Sequence, residues 1–147
     1  MKTIVLTTDF SEESRRAYAP ALSLAKKLGA NICLLHVVPE MPVIPHGSPL
    51  APPITEPDLG SELEHARHQL DELRAELSGQ GVEVGSELRT GSDVVASIVG
   101  YAQEVDAGLI ALSTHGRTGL RHLILGSIAE QVLRHAKTPV ICYPPAE

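Results

Sequence analysis

Residues 31–38, Asn-Ile-Cys-Leu-Leu-His-Val-Val, constrain this chain more than any other stretch. The run is almost continuously apolar, the pattern of a strand covered on both faces and therefore of a parallel sheet. Shorter runs at 3–8 (Thr-Ile-Val-Leu-Thr-Thr), 109–112 (Leu-Ile-Ala-Leu) and 140–143 (Val-Ile-Cys-Tyr) read as further strands.

The stretches between them carry helical spacing. Ala17, Ala21, Leu24, Ala25 and Leu28 follow an acidic start at Glu12 and Glu13, with Ser11 and Ser14 as capping groups and Gly29 as the stop. Leu59, Leu63, Ala66, Leu70, Leu73 and Leu77 recur at three and four, which predicts the longest helix. His65 and His68 lie a turn apart on it and read as a solvated face, with no third metal ligand in view. Residues 82–88 alternate apolar and polar after Gly79-Gln80-Gly81, as a strand at a sheet edge does. Gly91-Ser92-Asp93 opens a helix bearing Val94, Val95, Ile98, Val99 and Ala102, and Gly126-Ser127 opens a last one bearing Ile128, Val132, Leu133 and Ala136. Five strands alternating with four helices make a parallel α/β sandwich with right-handed crossovers, one domain over residues 1–147. Residues 39–57 are rich in proline and read as a long loop: a lid, a partner-contacting arm or a mobile segment.

Composition removes several functions. The formal charge is −6, and the chain has no Trp and a single Phe. That argues against a nucleic-acid partner, which calls for a basic face and stacking rings. No apolar run nears the roughly 20 residues of a membrane helix, and no signal-peptide core precedes the first strand, so a cytoplasmic location is expected. Cys33 and Cys142 sit inside apolar runs and read as reduced core thiols. Gly-x-x-x-x-Gly-Lys-Ser/Thr, Gly-x-Ser-x-Gly and His-Glu-x-x-His are all absent. The glycines at 79, 81 and 85 are wrongly spaced, and precede a strand, for a dinucleotide fingerprint.

What remains is the stretch from Leu109 to Ser127: a strand, a glycine-punctuated loop and a helix start, in an order that can cradle an anion. In an open parallel sheet ligands bind outside the carboxyl ends of the strands, where the strand order reverses. If strands 1 and 4 are neighbours there, Thr8-Asp9 and residues 112–116 flank one crevice.

Residues 112–120, Leu-Ser-Thr-His-Gly-Arg-Thr-Gly-Leu, with Leu125-Gly126-Ser127-Ile128, resemble the nucleotide-binding signature of the universal stress protein family: Gly, two residues, Gly, nine residues, Gly, then Ser or Thr. Asp9 in Thr-Thr-Asp-Phe-Ser and Leu-Leu-His-Val at 34–37 look like that family's other landmarks. The resemblance implies a three-layer α/β/α, Rossmann-like fold of the adenine nucleotide alpha hydrolase type, with strand order 3-2-1-4-5. It also implies a homodimer built through the last strand, Val140–Tyr143, and a bound ATP or AMP; a divalent ion such as Mg2+ could ride in on the phosphates with mostly water ligands, no dedicated cage being visible. By the same resemblance Val37 offers backbone groups to adenine, and Thr8 and Asp9 line the base and ribose. Leu112 and Ile128 wall the pocket, while Gly116, Gly126 and Ser127 meet the phosphates, Ser127 also capping the helix. Singly, each has a plainer reading: Val37, Leu112 and Ile128 as core, Asp9 as a helix-start carboxylate, Ser127 as an N-cap.

Ser113 stands where the signature has its first glycine. A Cβ there costs affinity if the position needs positive φ or close approach, and is tolerated if it needs only a small residue. His115 and Arg117 read as solvated loop residues, with phosphate contact as the alternative. The expected function is a nucleotide-dependent stress-response or signalling dimer that presents a surface to an unknown protein partner, with little or no hydrolysis. The alternatives are an ATP hydrolase or phosphotransferase using His115, and a dimeric interaction module that no longer binds nucleotide.

Overall fold

The computed structural model describes residues 2–40, 59–115 and 125–144. Most of the proline-rich loop, and with it Gly116 and Arg117, lies outside the described residues. The elements in order are β1 (Thr3–Thr7), α1 (Glu12–Arg15), α2 (Tyr18–Leu28), β2 (Asn31–Pro39), α3 (Leu59–Leu77), β3 (Val84–Gly91), α4 (Val94–Glu104), β4 (Leu109–Ser113), α5 (Ser127–His135) and β5 (Val140–Tyr143).

Five strands form one parallel sheet in the order β3-β2-β1-β4-β5. From β1 the chain steps outward to β2 and β3, then returns past β1 to β4 and β5. With every crossover right-handed, the outward and returning helices must fall on opposite faces. They do: α2 and α3 pack with Ile4, Leu6, Ile32, Leu34 and Ala111, whereas α4 and α5 pack with Val5, Leu35, Val37, Ile110 and Leu112. The alternation along each strand sorts its side chains between these two cores. Full burial of Ile4, Leu6, Ile32, Leu34, Leu35 and Ile110 contributes roughly 1.5–3 kcal/mol apiece.

The single first helix expected from the spacing is two helices, giving five helices among the described residues. An unbroken helix would require Pro20 to donate an N–H to the Arg16 carbonyl, and proline has none. The chain instead tightens, with Arg16 N donating to Glu13 O at 3.3 Å and Ala17 N to Ser14 O at 3.0 Å, and restarts at Tyr18. Pro20 then falls in the first turn, where no donor is needed. Ser11 caps α1, its hydroxyl accepting from Ser14 N at 3.1 Å, and Gly29, at φ 63°, closes α2.

The edge strand expected at 82–88 runs from Val84 to Gly91. Its alternation marks a face but no end. Pairing with β2 carries it on, from Ile32 opposite Val84 to Pro39 opposite Gly91. β4 extends to Ser113, which pairs with Tyr143.

Candidate functional site

A crevice of about 330 Å³ opens at the carboxyl ends of β1, β2 and β4, where the strand order reverses. Thr8, Asp9, Val37, Leu112, Ser113, Gly126, Ser127 and Ile128 all line it. Thr7, Ser14, Leu35, His36, Val94, Ile98, Thr114, His115 and Ala129 complete the lining. Several of these had a signal in the sequence: Leu35 shares a strand face with Val37, and His36 stands between them. Apolar residues such as Val94 and Ile98 read as core from spacing alone, and they are core residues whose outer ends meet the crevice.

The wall after β1 is a turn tied by side chains. Thr8 N donates to Leu35 O at 2.9 Å, continuing the sheet, while its buried hydroxyl is hydrogen-bonded to Tyr18 Oη and accepts from Phe10 N at 3.0 Å. Asp9 Oδ1 accepts from Ser11 N at 3.0 Å, Ser11 Oγ at 2.5 Å and Ser14 Oγ at 2.5 Å. Phe10 adopts φ 63°, a left-handed conformation unusual for a bulky side chain, and its ring centroid lies 4.5 Å from that of His36. His36 Nδ1 donates to Thr8 O at 2.7 Å, so that nitrogen carries a proton. Burial pushes the Tyr18 phenol above its ordinary value, against the opposing pull of its bond to Thr8.

The wall after β4 is tied mainly by backbone. Thr114 N donates to Tyr143 O at 2.9 Å, and Thr114 O accepts from Gly126 N at 2.7 Å. A Cβ on Gly126 would stand 2.8 Å from Thr114 O. Gly126 has φ −68° and ψ 160°, open to any residue, so close approach and not conformation calls for glycine here. Ser113 is not left-handed: among the described non-glycine residues only Phe10 and Asp106 have positive φ. Its hydroxyl donates to His115 O at 2.6 Å.

Two expectations need correction. His115 is not a solvated loop residue: it is 6% exposed, with Nδ1 3.0 Å from Thr114 Oγ1. The Thr114–Gly126 bond draws its turn against the start of α5. Ser127 is not the N-cap of α5, because Gly126 holds that position and supplies no side-chain cap. Gly126 therefore offers the first-turn amides of α5 no side-chain acceptor at the point where the helix meets the crevice.

The result is an apolar slot formed by Leu35, Val37, Leu112 and Ala129, rimmed by hydroxyls, with a positive helix end on one side. Such a site suits a flat ligand carrying an anionic tail. Among the described residues no group of three or more His, Cys, Asp or Glu is placed to hold a metal. His68 pairs with Glu72 at 3.1 Å on the exposed face of α3. Cys33 and Cys142 are free thiols raised by burial, Cys33 lying 3.0 Å from Tyr101 Oη. Among the described residues no helix is long and apolar enough to cross a membrane.

The chain matches the profile of the Universal stress protein family over residues 1–144. A universal stress protein of Methanocaldococcus jannaschii is 33% identical over 142 residues, covering 95% of this chain and 80% of that protein. Among solved structures, a universal stress protein from Lactobacillus plantarum superposes with a TM-score of 0.80 at 23% identity, covering 97% of each chain. One from Archaeoglobus fulgidus, in complex with dAMP, superposes with a TM-score of 0.67 at 24% identity over 97% of this chain and 96% of that one. At these identities the structural likeness speaks for the fold alone.

Proposed function

This chain belongs to the universal stress protein family, and from that premise we propose that its crevice binds an adenine nucleotide, ATP or AMP. The observation that carries the reading is the convergence of the apolar slot on the N-terminus of α5, whose cap residue, Gly126, has no side chain to occupy its amides. An adenine ring fits the slot, with Val37 offering backbone groups to its edge and Leu112 and Ile128 flanking it. Thr8 and Asp9 line the base and ribose side. Gly126 and Ser127, with Gly116, present amides and a hydroxyl to the phosphates. The Archaeoglobus protein that shares this fold was solved in complex with dAMP, a ligand of the proposed class. A magnesium ion would be held by the phosphates and water, since the described acidic residues make no cage.

A second copy of the chain is the proposed partner along β5, an edge strand whose four residues are each only partly buried. The nucleotide-bound dimer would present its surface to a protein partner in a stress response.

Denaturing the purified protein and assaying the supernatant for adenine nucleotide, with calorimetric titration of ATP and AMP on emptied protein, tests the reading. Released nucleotide, or a saturable heat with either ligand, is expected. Neither would end the nucleotide reading, and sedimentation at the 15.7 kDa of one chain would end the dimer.

A further inference from the structure

Ser113 occupies the end of β4, lines the crevice and departs from the family's glycine, and its hydroxyl has a definite structural task. Thr114 is fixed through its backbone at both sides, to Tyr143 of β5 and to Gly126 at the head of α5. The carbonyl of the next residue, His115, is held by the Ser113 hydroxyl at 2.6 Å, a bond that glycine at 113 could not make. A hydroxyl has one proton to donate, and here it is committed to the protein. Toward the crevice Ser113 therefore shows lone pairs only, and its contribution to an anionic ligand runs through the turn it holds.

We propose that Ser113 is a positioning residue whose hydroxyl, by pinning the His115 carbonyl, presets the turn of residues 113–115 for nucleotide binding. The proposal rests on the nucleotide reading above. Of the two readings open for a Cβ at this position it takes tolerance, and adds a task for the hydroxyl. The backbone at 113 needs no glycine, because its φ lies in the ordinary region. Glycine there would also free the chain to sample more conformations before the ligand arrives. A preset turn binds more tightly because less order is lost on binding.

The test is calorimetric titration of AMP into the unsubstituted protein and into Ser113→Gly, Ser113→Ala and Ser113→Thr, together with amide hydrogen exchange at Thr114 without ligand. Ser113→Gly and Ser113→Ala should bind AMP about three- to tenfold more weakly, the range given by one intramolecular hydrogen bond. Both should also speed exchange at Thr114. Ser113→Thr, which keeps the hydroxyl, should restore affinity and slow exchange. A Ser113→Gly protein that binds AMP as tightly as the unsubstituted one, or more tightly, overturns the proposal, as does a threonine that fails to rescue. No heat from any of the four proteins would instead defeat the nucleotide reading. In that case exchange at Thr114 unchanged by Ser113→Gly would overturn the anchoring role as well.

Discussion

The two walls of the crevice are built by different means. After β1, residues 8–14 are fastened by hydroxyls and a carboxylate: Thr8 to Tyr18 and Phe10, Asp9 to Ser11 and Ser14. After β4, residues 113–115 are fastened chiefly by amides and carbonyls, with Tyr143 on one side and Gly126 on the other. A wall held by side chains depends on which residue types occupy it. A wall held by backbone depends on how closely two stretches of chain can approach. In stability the first should therefore suffer most from loss of a functional group, and the second most from gain of volume.

Gly126 is where that contrast is most easily broken. In Gly126→Val the new Cβ meets a backbone oxygen at 2.8 Å, and Thr114 has little room to yield because its amide is bonded to β5. Overpacking of this kind costs about 1–3 kcal/mol. Urea unfolding should show that loss, and AMP affinity should fall more than tenfold. Gly126→Ala places the same Cβ and should show most of both effects; an alanine variant equal to the parent would mean that close approach does not hold this wall.

Asp9→Ala comes next. It removes an acceptor shared by three donors, and hydrogen bonds to charged groups are worth about 1.5–3 kcal/mol each without adding in full, so a loss of about 2 kcal/mol is expected. Asp9→Asn keeps one oxygen and should lose less. Thr114→Ala is the matching change in the other wall, where the main ties are backbone, and should cost no more than half as much. Equal losses in urea unfolding at Asp9 and Thr114 would erase the distinction.

The smallest effect belongs to Tyr18→Phe, which removes one neutral hydrogen bond worth about 1 kcal/mol at pH 7. Its sign with pH is fixed by the raised phenol. The folded chain holds that proton more tightly than the unfolded chain, whose tyrosine titrates at about pH 10. Tyr18's contribution is thus complete below pH 10 and is lost as pH rises through the raised value. The stability gap between parent and Tyr18→Phe, measured in urea, should be flat up to about pH 9 and narrow above pH 10. A gap that widens there would contradict the burial of the phenol.

Much of this architecture is written in local pattern. β5 ends where its apolar run meets Pro139 and Pro144, and α3 spans its leucine spacing from Leu59 to Leu77. The split between α1 and α2 was also legible, through Pro20, yet the alanine spacing runs across the break and conceals it. β3 was displaced because a partly exposed alternating strand has no chemical marker at its ends, which are set by pairing with β2. In the crevice, glycine spacing and the strand-end landmarks pointed to the residues that line it. Other features depended on distance across the fold: the burial of His115, the hold of Ser113 on its carbonyl, and the displacement of Ser127 from the cap by Gly126. No periodicity encodes which carbonyl a hydroxyl will find.

The strand order also sets a timetable. β1 comes before the other four strands of its sheet in the sequence, and it lies at the centre with β2 on one side and β4 on the other. During synthesis β1, β2 and β3 can assemble while the far edge of β1 stays open, since β4 emerges only after α4. Open strand edges invite foreign pairing, so this interval is when the nascent chain is most vulnerable. The crevice cannot form until β4 is made: about a hundred residues, from Thr8 to Ser113, separate the making of its two walls.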